Sequence, residues 1–516
     1  MKSRLFKFKD YLTLGLIVLL GFILRIARLT LLPVFADEAI YVRWSQIMRA
    51  EETLRFLPLS DGKQPLFMWV TIPFLKIFND PLFAGRLVSV LCGVASIIGV
   101  YMISKHLFKS GKVAIITALI VAVCPFMLFF DRMALVDSML TAFAVWLFYL
   151  ITINASLLRL DLSMIAGFLL GGALLTKSPG LFFAILTPLS AILVSWPKEK
   201  KEFIKKLFKF VNLASITLII GYGLSNILRL GPNFSLLASR NMDYVYPYSH
   251  ILTSPFSPLI SHLKAALEYF WLLGPGALLA LFLIGIFVSL RFNWKSSLWL
   301  SLWIFLPLLA VTEYGKVFTA RYILYLVPFV ILIAGTSFLI KKEILIKGVT
   351  VLFLIFLLQS IIFNFLLLTN IEKVKLPRSE RSGYLEEWTA GYGIKEISKI
   401  IREDYTKNPQ RKIVVGTEGY FGTLPDGLQL YLNDLKAITV IGVGLGIDKL
   451  PRQLAESKQF GNKTYLVVNS SRLLAKAENI GLTLLASYPK AVKPDGSREA
   501  LLLFEVNSTI GKGAAK

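Results

Sequence analysis

The amino-acid sequence predicts a polytopic α-helical membrane protein of about eleven transmembrane helices, followed by a C-terminal soluble α/β domain. Of the 516 residues, 55% are hydrophobic and 17% are charged. A soluble protein carries roughly 45–50% apolar and about 25% charged residues. The mean hydropathy is +0.66, and the composition becomes typical of a soluble protein only after Thr369. These observations exclude a soluble enzyme of this length and a disordered chain.

Each predicted span is an apolar run. A bilayer core of roughly 30 Å requires about 20 apolar residues in a helix. Such runs occur at 10–31, 83–104, 112–130, 138–157, 163–176, 179–196, 208–228, 269–290, 296–312, 320–340 and 345–369. The first run has no small-residue cleavage site and ends in Arg25 and Arg28, so we interpret it as a retained anchor. Cys92 and Cys124 lie inside apolar runs and are expected to be buried hydrophobic residues.

The basic residues predict the orientation. The net charge is +24, and Lys and Arg concentrate in alternate short loops, as in cytoplasmic segments of membrane proteins. We therefore expect a plasma-membrane protein with a cytoplasmic N-terminus, and no nucleic-acid partner is needed to explain the charge. The clusters are Lys2–Lys9, Lys105–Lys112, Lys198–Lys209, Arg291–Lys295 and Lys341–Lys347.

The tail is predicted to be a separate extracytoplasmic domain, because an odd number of spans places the C-terminus outside. We divide the chain into a transmembrane catalytic domain at 1–369 and an α/β domain at 370–516. Gly442–Gly446 follows a predicted strand but lacks the spacing of a dinucleotide-binding loop. Short strands at 412–415, 437–443, 464–468, 482–487 and 501–506 alternate with polar, helix-like stretches such as Ile394–Glu403.

Charged residues beside the spans gather at the predicted outer face, and intramembrane charges are functional candidates. A carboxylate can act as a general base, and cations can stabilise a departing phosphate. Lys177 ends a short apolar run, so the outer end of this span is expected to lie below the membrane surface and to open into a cavity. Lys snorkelling to the headgroups stays an alternative. The outer charges are Asp37, Glu38, Lys63, Asp131, Arg132, Asp137, Lys177, Glu313, Lys316 and Arg321.

Two outer loops are too long for simple connectors. The loop 32–81 contains amphipathic stretches at 39–50 and 66–78, which are predicted to lie in the outer interface. The loop 229–268 carries Arg240, His250 and His262 and is interpreted as a lid or substrate loop. We include His262 among the residues that shape the site, and a structural role for both histidines stays open.

Several of these residues stand in motifs that resemble the GT-C membrane glycosyltransferases of the protein O-mannosyltransferase and aminoarabinose-transferase type. The motifs follow the family order over about 300 residues. Gln64 replaces a proline of the family motif and Ser178 replaces a glycine, which leaves the detailed geometry of both turns open. The matching stretches are Leu24-Arg25, Asp37-Glu38 with Tyr41, Gly62–Leu66, Arg132–Ser138, Leu175–Gly180, Arg321-Tyr322 with Pro328, and Gly383–Gly393.

The resemblance implies a GT-C-like fold and an inverting glycosyltransferase, of the hexosyl or pentosyl type, that takes its sugar from a polyprenyl-phosphate donor. It implies that Asp37 is the catalytic base, with Glu38 assisting. It also implies that Lys63, Lys177 and Arg321 bind the donor phosphate. Asp137, Arg132 and Tyr41 would shape the site. The expected partners are the donor, membrane lipid and an acceptor protein, lipid or glycan. No cofactor is assigned, and a divalent metal near Asp37 and Glu38 is left open.

Simpler interpretations remain for single residues. Asp37 and Glu38 could cap a helix that begins at Ala39, and Asp137 could be an N-cap. Arg321 could be an interfacial anchor. For the whole chain, the main alternative is a lipid-sugar flippase or other polytopic transporter, for which broken helices and internal repeats would be expected. A lipid-linked glycan polymerase is a further rival, and an oligosaccharyltransferase is disfavoured because the Trp-Trp-Asp signature is missing.

Overall fold

The computed structural model describes residues 2–507, with side-chain environments from Asp10 onward. The side chains of Lys2, Arg4, Lys7 and Lys9, which the orientation argument used, lie outside that part. The helices are α1 (Lys2–Ile26), α2 (Ala36–Ala50), α3 (Leu66–Ile77), α4 (Pro81–Phe108), α5 (Gly111–Val123), α6 (Pro125–Phe130), α7 (Val136–Leu157), α8 (Leu160–Thr176), α9 (Gly180–Leu189), α10 (Lys200–Ser225), α11 (Leu236–Tyr244), α12 (His250–Thr253), α13 (Leu259–Leu272), α14 (Gly276–Tyr314), α15 (Val327–Gly335), α16 (Glu343–Thr369), α17 (Arg378–Arg381), α18 (Ile394–Lys407), α19 (Asp426–Leu432) and α20 (Arg452–Gln459). The strands are β1 (Val34–Phe35), β2 (Ala390–Gly391), β3 (Ile413–Glu418), β4 (Ile438–Gly444), β5 (Lys463–Asn469), β6 (Leu482–Val492) and β7 (Arg498–Val506).

Within the described residues, 6 helical segments are long and apolar enough to cross a membrane by length and composition. They are Pro81–Phe108, Val136–Leu157, Lys200–Leu230, Gly276–Tyr314, Ala320–Leu339 and Glu343–Thr369. Shorter apolar helices cover Leu66–Ile77, Gly111–Val123, Leu160–Thr176 and Gly180–Leu193. The predicted count of about eleven spans is therefore not confirmed. In α14, the non-helical backbone at Asn293 separates the two runs that the sequence analysis treated as different spans.

The chain forms two compact units. Among the described residues, the first comprises 2–29, 51–70 and 86–377, and the second comprises 30–50, 71–85 and 378–507. The first unit holds most of the apolar helices. The second holds the C-terminal sheet together with two segments from the long loop after α1, a grouping that the sequence did not indicate.

A buried ion pair stabilises the packing of α1 in the first unit. Arg25 Nε donates to Asp131 Oδ2 at 2.9 Å, and both side chains are fully buried. The same guanidinium donates to the carbonyl oxygens of Gly21, Val121 and Ala122. A buried charge is tolerated when it is paired and its remaining donors are satisfied. These charges therefore have a structural role.

The second unit contains a five-stranded mixed sheet in the order β4-β3-β5-β7-β6. Strand β3 runs parallel to β4 and β5, and β7 runs antiparallel to β5 and β6. The predicted strands and the helix α18 are present; β4 has the predicted length and is shifted by one residue, and the other elements are longer than the sequence indicated. Helix α18 buries Ile394, Ile397 and Ile401, which recur at helical spacing. The prediction of a C-terminal α/β domain is confirmed.

The second unit also contains the segment after α1. Strand β1 pairs antiparallel with β2, so Val34 lies opposite Gly391 and Phe35 opposite Ala390. A side chain at Gly391 would place its Cβ 2.4 Å from the carbonyl oxygen of Val34, so this pairing needs glycine. Helix α2 packs against α19. The start of α2, with its two acidic residues, is therefore positioned by the C-terminal sheet domain.

Candidate functional site

Lys177 lies at a tight turn between α8 and α9. Helix α8 ends at Thr176, and Lys177 adopts an extended conformation while its N–H still donates to Ala173 O at 3.1 Å. A Cβ at Gly180 would come within 2.8 Å of the Ala173 carbonyl carbon, so glycine allows the two helices to approach. The 17 residues of α8 span roughly 26 Å. This length is less than the roughly 30 Å bilayer core, in keeping with the short span predicted before Lys177.

The Lys177 side chain is paired with Asp137. Its Nζ lies 2.6 Å from Asp137 Oδ1, with 22% of the lysine and 3% of the aspartate side chain exposed. Asp137 stands in the first turn of α7, where a negative charge is favoured by the helix dipole. Its second oxygen, Oδ2, is buried without a hydrogen-bond partner among the described residues. Because such an atom costs about 1–3 kcal/mol, it is a candidate for binding a ligand.

Arg321 joins Lys177 at the ring of Tyr322. Lys177 Nζ lies 4.5 Å from the ring centroid, and Arg321 Cζ lies 5.6 Å from it. Both distances are within the range of a cation–π interaction. Two cations predicted from separate motifs therefore meet at one aromatic ring, which sets the direction of both.

The Lys63 loop is linked to the Lys177 turn by the two residues that depart from the family motif. Gln64 Nε2 donates to Ser178 Oγ at 3.0 Å. Lys63 itself pairs with Asp61 at 3.1 Å and is 23% exposed. Gly62 has φ of +67°, a left-handed conformation that favours glycine. The structure thus brings the segments carrying Lys63, Lys177 and Arg321 to one region of the first unit.

Arg132 has a clear structural function. Its guanidinium donates to the carbonyl oxygens of Leu24, Arg25, Ala27 and Arg28 at 2.8–3.1 Å. These are C-terminal carbonyls of α1 and the turn after it, which lack partners within the helix. Arg132 therefore fixes the end of α1, and its role in shaping the site stays a prediction.

His262 lies on α13 and is held by the end of α14. Its Nδ1 is 3.0 Å from the carbonyl oxygen of Thr312, and its ring stacks on Phe318 at 4.8 Å. Both contacts are structural. Next to Thr312, Glu313 is buried with both carboxylate oxygens lacking a hydrogen-bond partner among the described residues.

Asp37, Glu38 and Tyr41 belong to the second unit, on α2. Helix α2 begins at Ala36 and not at Ala39, and Glu38 Oε2 accepts the N–H of Phe35 at 3.0 Å. This is the carboxylate half of a capping box, and Glu38 is fully buried. Asp37 is only half-buried. Tyr41 is buried with its ring 6.1 Å from that of Trp44. The two adjacent carboxylates therefore have different environments, and Asp37 is the more accessible one.

Residues that the sequence analysis did not assign also contribute. Tyr322 lies beside both cations. Tyr325 lies close enough to Asp137 to interact electrostatically, and its hydroxyl is buried without a hydrogen-bond partner in the described part of the chain. Their spacing was the available signal, because residues 322 and 325 are three apart in a 3-10 helical segment and so lie on the same face.

An apolar cavity of about 230 Å³ opens in the same unit. Its lining includes Leu66, on the segment that follows Lys63, and Met139, on the same helix as Asp137. Cys92 lines it and is for that reason only partly buried, unlike Cys124. The other lining residues are Val70, Ala142, Phe143, Trp146 and Leu169. A cavity of this composition suits a hydrocarbon chain.

No three His, Cys, Asp or Glu side chains in the described residues are placed to hold a metal ion together. At Asp37 and Glu38, one oxygen of Glu38 already accepts a backbone hydrogen bond. A metal there would need ligands beyond these two residues.

The chain has a GT-C-like membrane fold, as its similarity to solved structures shows. The crystal structure of ArnT from Cupriavidus metallidurans in the apo state matches with a TM-score of 0.56 and 14% identity over 96% of this chain and 98% of that chain. The same protein bound to undecaprenyl phosphate also matches at 0.56 and 14%, over 98% and 99%. Archaeal oligosaccharyltransferase AglB from Archaeoglobus fulgidus, with an inhibitory peptide and a dolichol-phosphate, matches at 0.51 and 11%, over 96% and 74%.

A segment of the sequence matches one particular family. Residues 62–222 match the family described as dolichyl-phosphate-mannose-protein mannosyltransferase. The matched segment contains Lys63, Arg132, Asp137 and Lys177. No curated protein matches the chain. Together with the fold, this match confirms the resemblance to GT-C glycosyltransferases that the motifs predicted.

Proposed function

We propose that this protein transfers a sugar from a polyprenyl-phosphate donor to an acceptor at the outer face of the membrane. The observation that carries the proposal is the convergence of Lys177 and Arg321 on Tyr322. Two cations held in a partly enclosed site stabilise the negative charge that grows on a departing phosphate. The matched family and the fold support the same class of reaction.

The donor would bind through its phosphate and through its isoprenoid chain. Lys177, Arg321 and Lys63 contact the phosphate, while the apolar cavity beginning at Leu66 and Met139 receives isoprenoid groups. Lys177 is paired with Asp137 in the structure, and the donor phosphate would form a second ion pair with the same lysine. Asp137 Oδ2, which has no hydrogen-bond partner among the described residues, would then accept a hydrogen bond from a hydroxyl of the sugar. This arrangement satisfies a buried oxygen that the described residues leave unpaired.

The transfer step is a single displacement with inversion. The acceptor hydroxyl oxygen forms a bond to the anomeric carbon while the bond from that carbon to the phosphate oxygen breaks. The bonding electron pair leaves with the phosphate, and Asp37 takes the hydroxyl proton as general base. The role of Asp37 comes from the family resemblance, and its half-buried position at the start of α2 supports it. Glu38 assists by fixing the turn at Phe35.

The proposal includes the predicted setting: a plasma membrane, a cytoplasmic N-terminus and an extracytoplasmic C-terminal domain. The repeated basic loops support this orientation. The acceptor is a protein, lipid or glycan that presents a hydroxyl or similar group, and the sugar is a hexose or a pentose.

The experiment is donor turnover by the full chain in lipid nanodiscs. A panel of polyprenyl-phosphate hexoses and pentoses is incubated with membrane extract as a source of acceptors, and free polyprenyl phosphate is measured. We expect release from at least one donor and a loss of at least about tenfold in Lys177→Gln, because a charged hydrogen bond contributes about 1.5–3 kcal/mol. Lys347→Gln is the matched control, since Lys347 is 73% exposed and pairs only along its own helix in the described contacts. Equal release by wild type and Lys177→Gln would contradict the assigned phosphate site.

A further inference from the structure

The C-terminal sheet has a winding reversal between β3 and β5. From β3 the chain passes to β4 on one side and then crosses back to β5 on the other side, giving the order β4-β3-β5. In open α/β sheets a ligand binds in the crevice outside the carboxyl ends of the strands at such a reversal. Glu418 is the last residue of β3 and Asn469 is the last residue of β5.

Polar groups are buried at this crevice. Glu418 accepts the backbone N–H of Asn469 at 2.8 Å and its side-chain Nδ2–H at 2.6 Å. Asn469 is 1% exposed, and its Oδ1 has no hydrogen-bond partner among the described residues. A buried amide oxygen left unpaired is costly. It therefore points to a ligand that donates a hydrogen bond.

The charges around the crevice balance. Lys490 is buried and its Nζ donates to the carbonyl oxygen of Glu387 at 3.0 Å. Burial lowers the pKa of Lys490 to about 8, against the opposing effect of nearby carboxylates. Burial likewise raises the pKa of Glu418. Three carboxylates face three cations, so the crevice favours a neutral ligand over an anion. The six groups are Glu387, Glu418, Glu499, Lys490, Lys493 and Arg472.

An aromatic surface borders the polar groups. Trp388 is 40% exposed, and Arg472 Cζ lies 5.7 Å from its ring centroid. The loop after β3 carries Tyr420 and Phe421, which are both exposed. A Cβ at Gly422 would lie 3.9 Å from the Trp388 ring, so this loop and Trp388 are neighbours. Flat apolar rings beside hydrogen-bonding groups match a sugar, which has apolar C–H faces and hydroxyls at its edge.

We propose that the carboxyl edge of β3 and β5 is a binding site for a neutral saccharide. The Trp388 ring stacks on the sugar face, Asn469 Oδ1 accepts a hydroxyl, and Arg472 keeps the ring in place. This site goes beyond the proposed transfer reaction, and its ligand binding does not depend on that reaction.

Binding is measured by calorimetry on the full chain in nanodiscs. The probes are mannotriose, cellotriose and chitotriose, with uridine monophosphate and inorganic phosphate as anionic comparators. We expect at least one trisaccharide to bind and Trp388→Ala to weaken that binding about tenfold, the equivalent of about 1.4 kcal/mol. Phe460→Ala is the control, because Phe460 is 84% exposed just before β5, at the amino end of the same sheet.

A second measurement protects the test against a variant that fails to fold. In the wild-type chain, the bound trisaccharide should slow hydrogen exchange in residues 419–422 and 469–472. Absence of binding by every trisaccharide, stronger binding of an anionic comparator, equal affinity in a folded Trp388→Ala variant, or protection confined to other segments would each overturn the proposal.

Discussion

Tyr322 is the residue around which the proposed donor-phosphate site is organised, because Lys177 and Arg321 both lie against its ring. A cation over an aromatic face gains about 0.5–2 kcal/mol, depending on solvent access. The ring also limits the directions that these two flexible side chains can take. Positioning of this kind lowers the entropy that is lost when the donor binds.

The ring and not the hydroxyl of Tyr322 should matter. We expect Tyr322→Leu to raise the donor KM by about three- to thirtyfold, the equivalent of roughly 0.7–2 kcal/mol. Tyr322→Phe should stay close to wild type, since it retains the aromatic face. Steady-state kinetics with the preferred donor checks both variants. If Tyr322→Phe were impaired as strongly as Tyr322→Leu, the hydroxyl would be the important group.

Gly93 is a second single residue with a specific structural role. A Cβ at this position would lie 2.3 Å from Asp131 Oδ2 and 2.7 Å from Arg25 Nε, so it would disrupt the fully buried ion pair. We expect Gly93→Ala to destabilise the chain by about 1–3 kcal/mol or more, as overpacking does. Thermal unfolding in nanodiscs measures it. Gly223→Ala, in the helix α10, is the control, because no heavy atom apart from its neighbours in that helix lies within 4 Å of the Cβ that alanine would add there. A similar midpoint for both variants would refute this role.

At the scale of elements, the Lys63 loop and the α8–α9 turn are joined by Gln64 and Ser178. Each residue departs from the motif of the resembled family; the loss of the proline at Gln64 suggests a looser loop, and Ser178 in place of glycine leaves the geometry of its turn open. In the structure they form one hydrogen bond. The pair is therefore a local replacement for the rigidity that the proline would provide.

This pairing predicts a coupled effect on donor binding. Gln64→Ala and Ser178→Ala should each raise the donor KM modestly, and the double variant should be no worse than either single one. The coupling energy expected for one hydrogen bond is about 1 kcal/mol. A double-mutant cycle on kcat/KM measures it. Additive effects of the two substitutions would show that the bond does not position the loops.

Regular elements were largely predictable from local sequence. The alternating β-branched residues of β3 and β5 and the helical spacing of Ile394, Ile397 and Ile401 are local signals. The pairing of β1 with β2 was not predictable, because the two strands are far apart in the sequence, with most of the membrane helices between them. The same holds for Gln64 and Ser178, whose contact depends on how two loops meet in space.

The candidate site shows the same limit. Motifs identified Lys177, Arg321 and Asp137 as members of a site, since charges beside apolar spans are rare. They did not show that Lys177 pairs with Asp137 or that Tyr322 lies between the cations. They also did not show that Asp37 and Glu38 have different environments, a difference that arises from the hydrogen bond between Glu38 and the Phe35 N–H. These facts depend on tertiary geometry.

At the scale of the whole molecule, the chain combines an apolar helical unit that contains the cations with a sheet unit that contains Asp37. In the proposed reaction, residues of the first unit are assigned to donor-phosphate binding, and Asp37 of the second unit is assigned the role of base. Donor binding and sugar transfer should therefore be separable by mutation, because loss of the base should remove transfer and leave donor binding intact.

The most direct test compares wild type, Asp37→Asn and Glu38→Gln for donor binding and for release of polyprenyl phosphate in the same nanodiscs. We predict that Asp37→Asn binds the donor with nearly unchanged affinity and loses release by about 100-fold or more, as removal of a general base does. Glu38→Gln should keep more activity, because its amide oxygen can still accept the Phe35 N–H. Full release by a folded Asp37→Asn variant, or no donor binding by the wild type, would contradict the proposed mechanism.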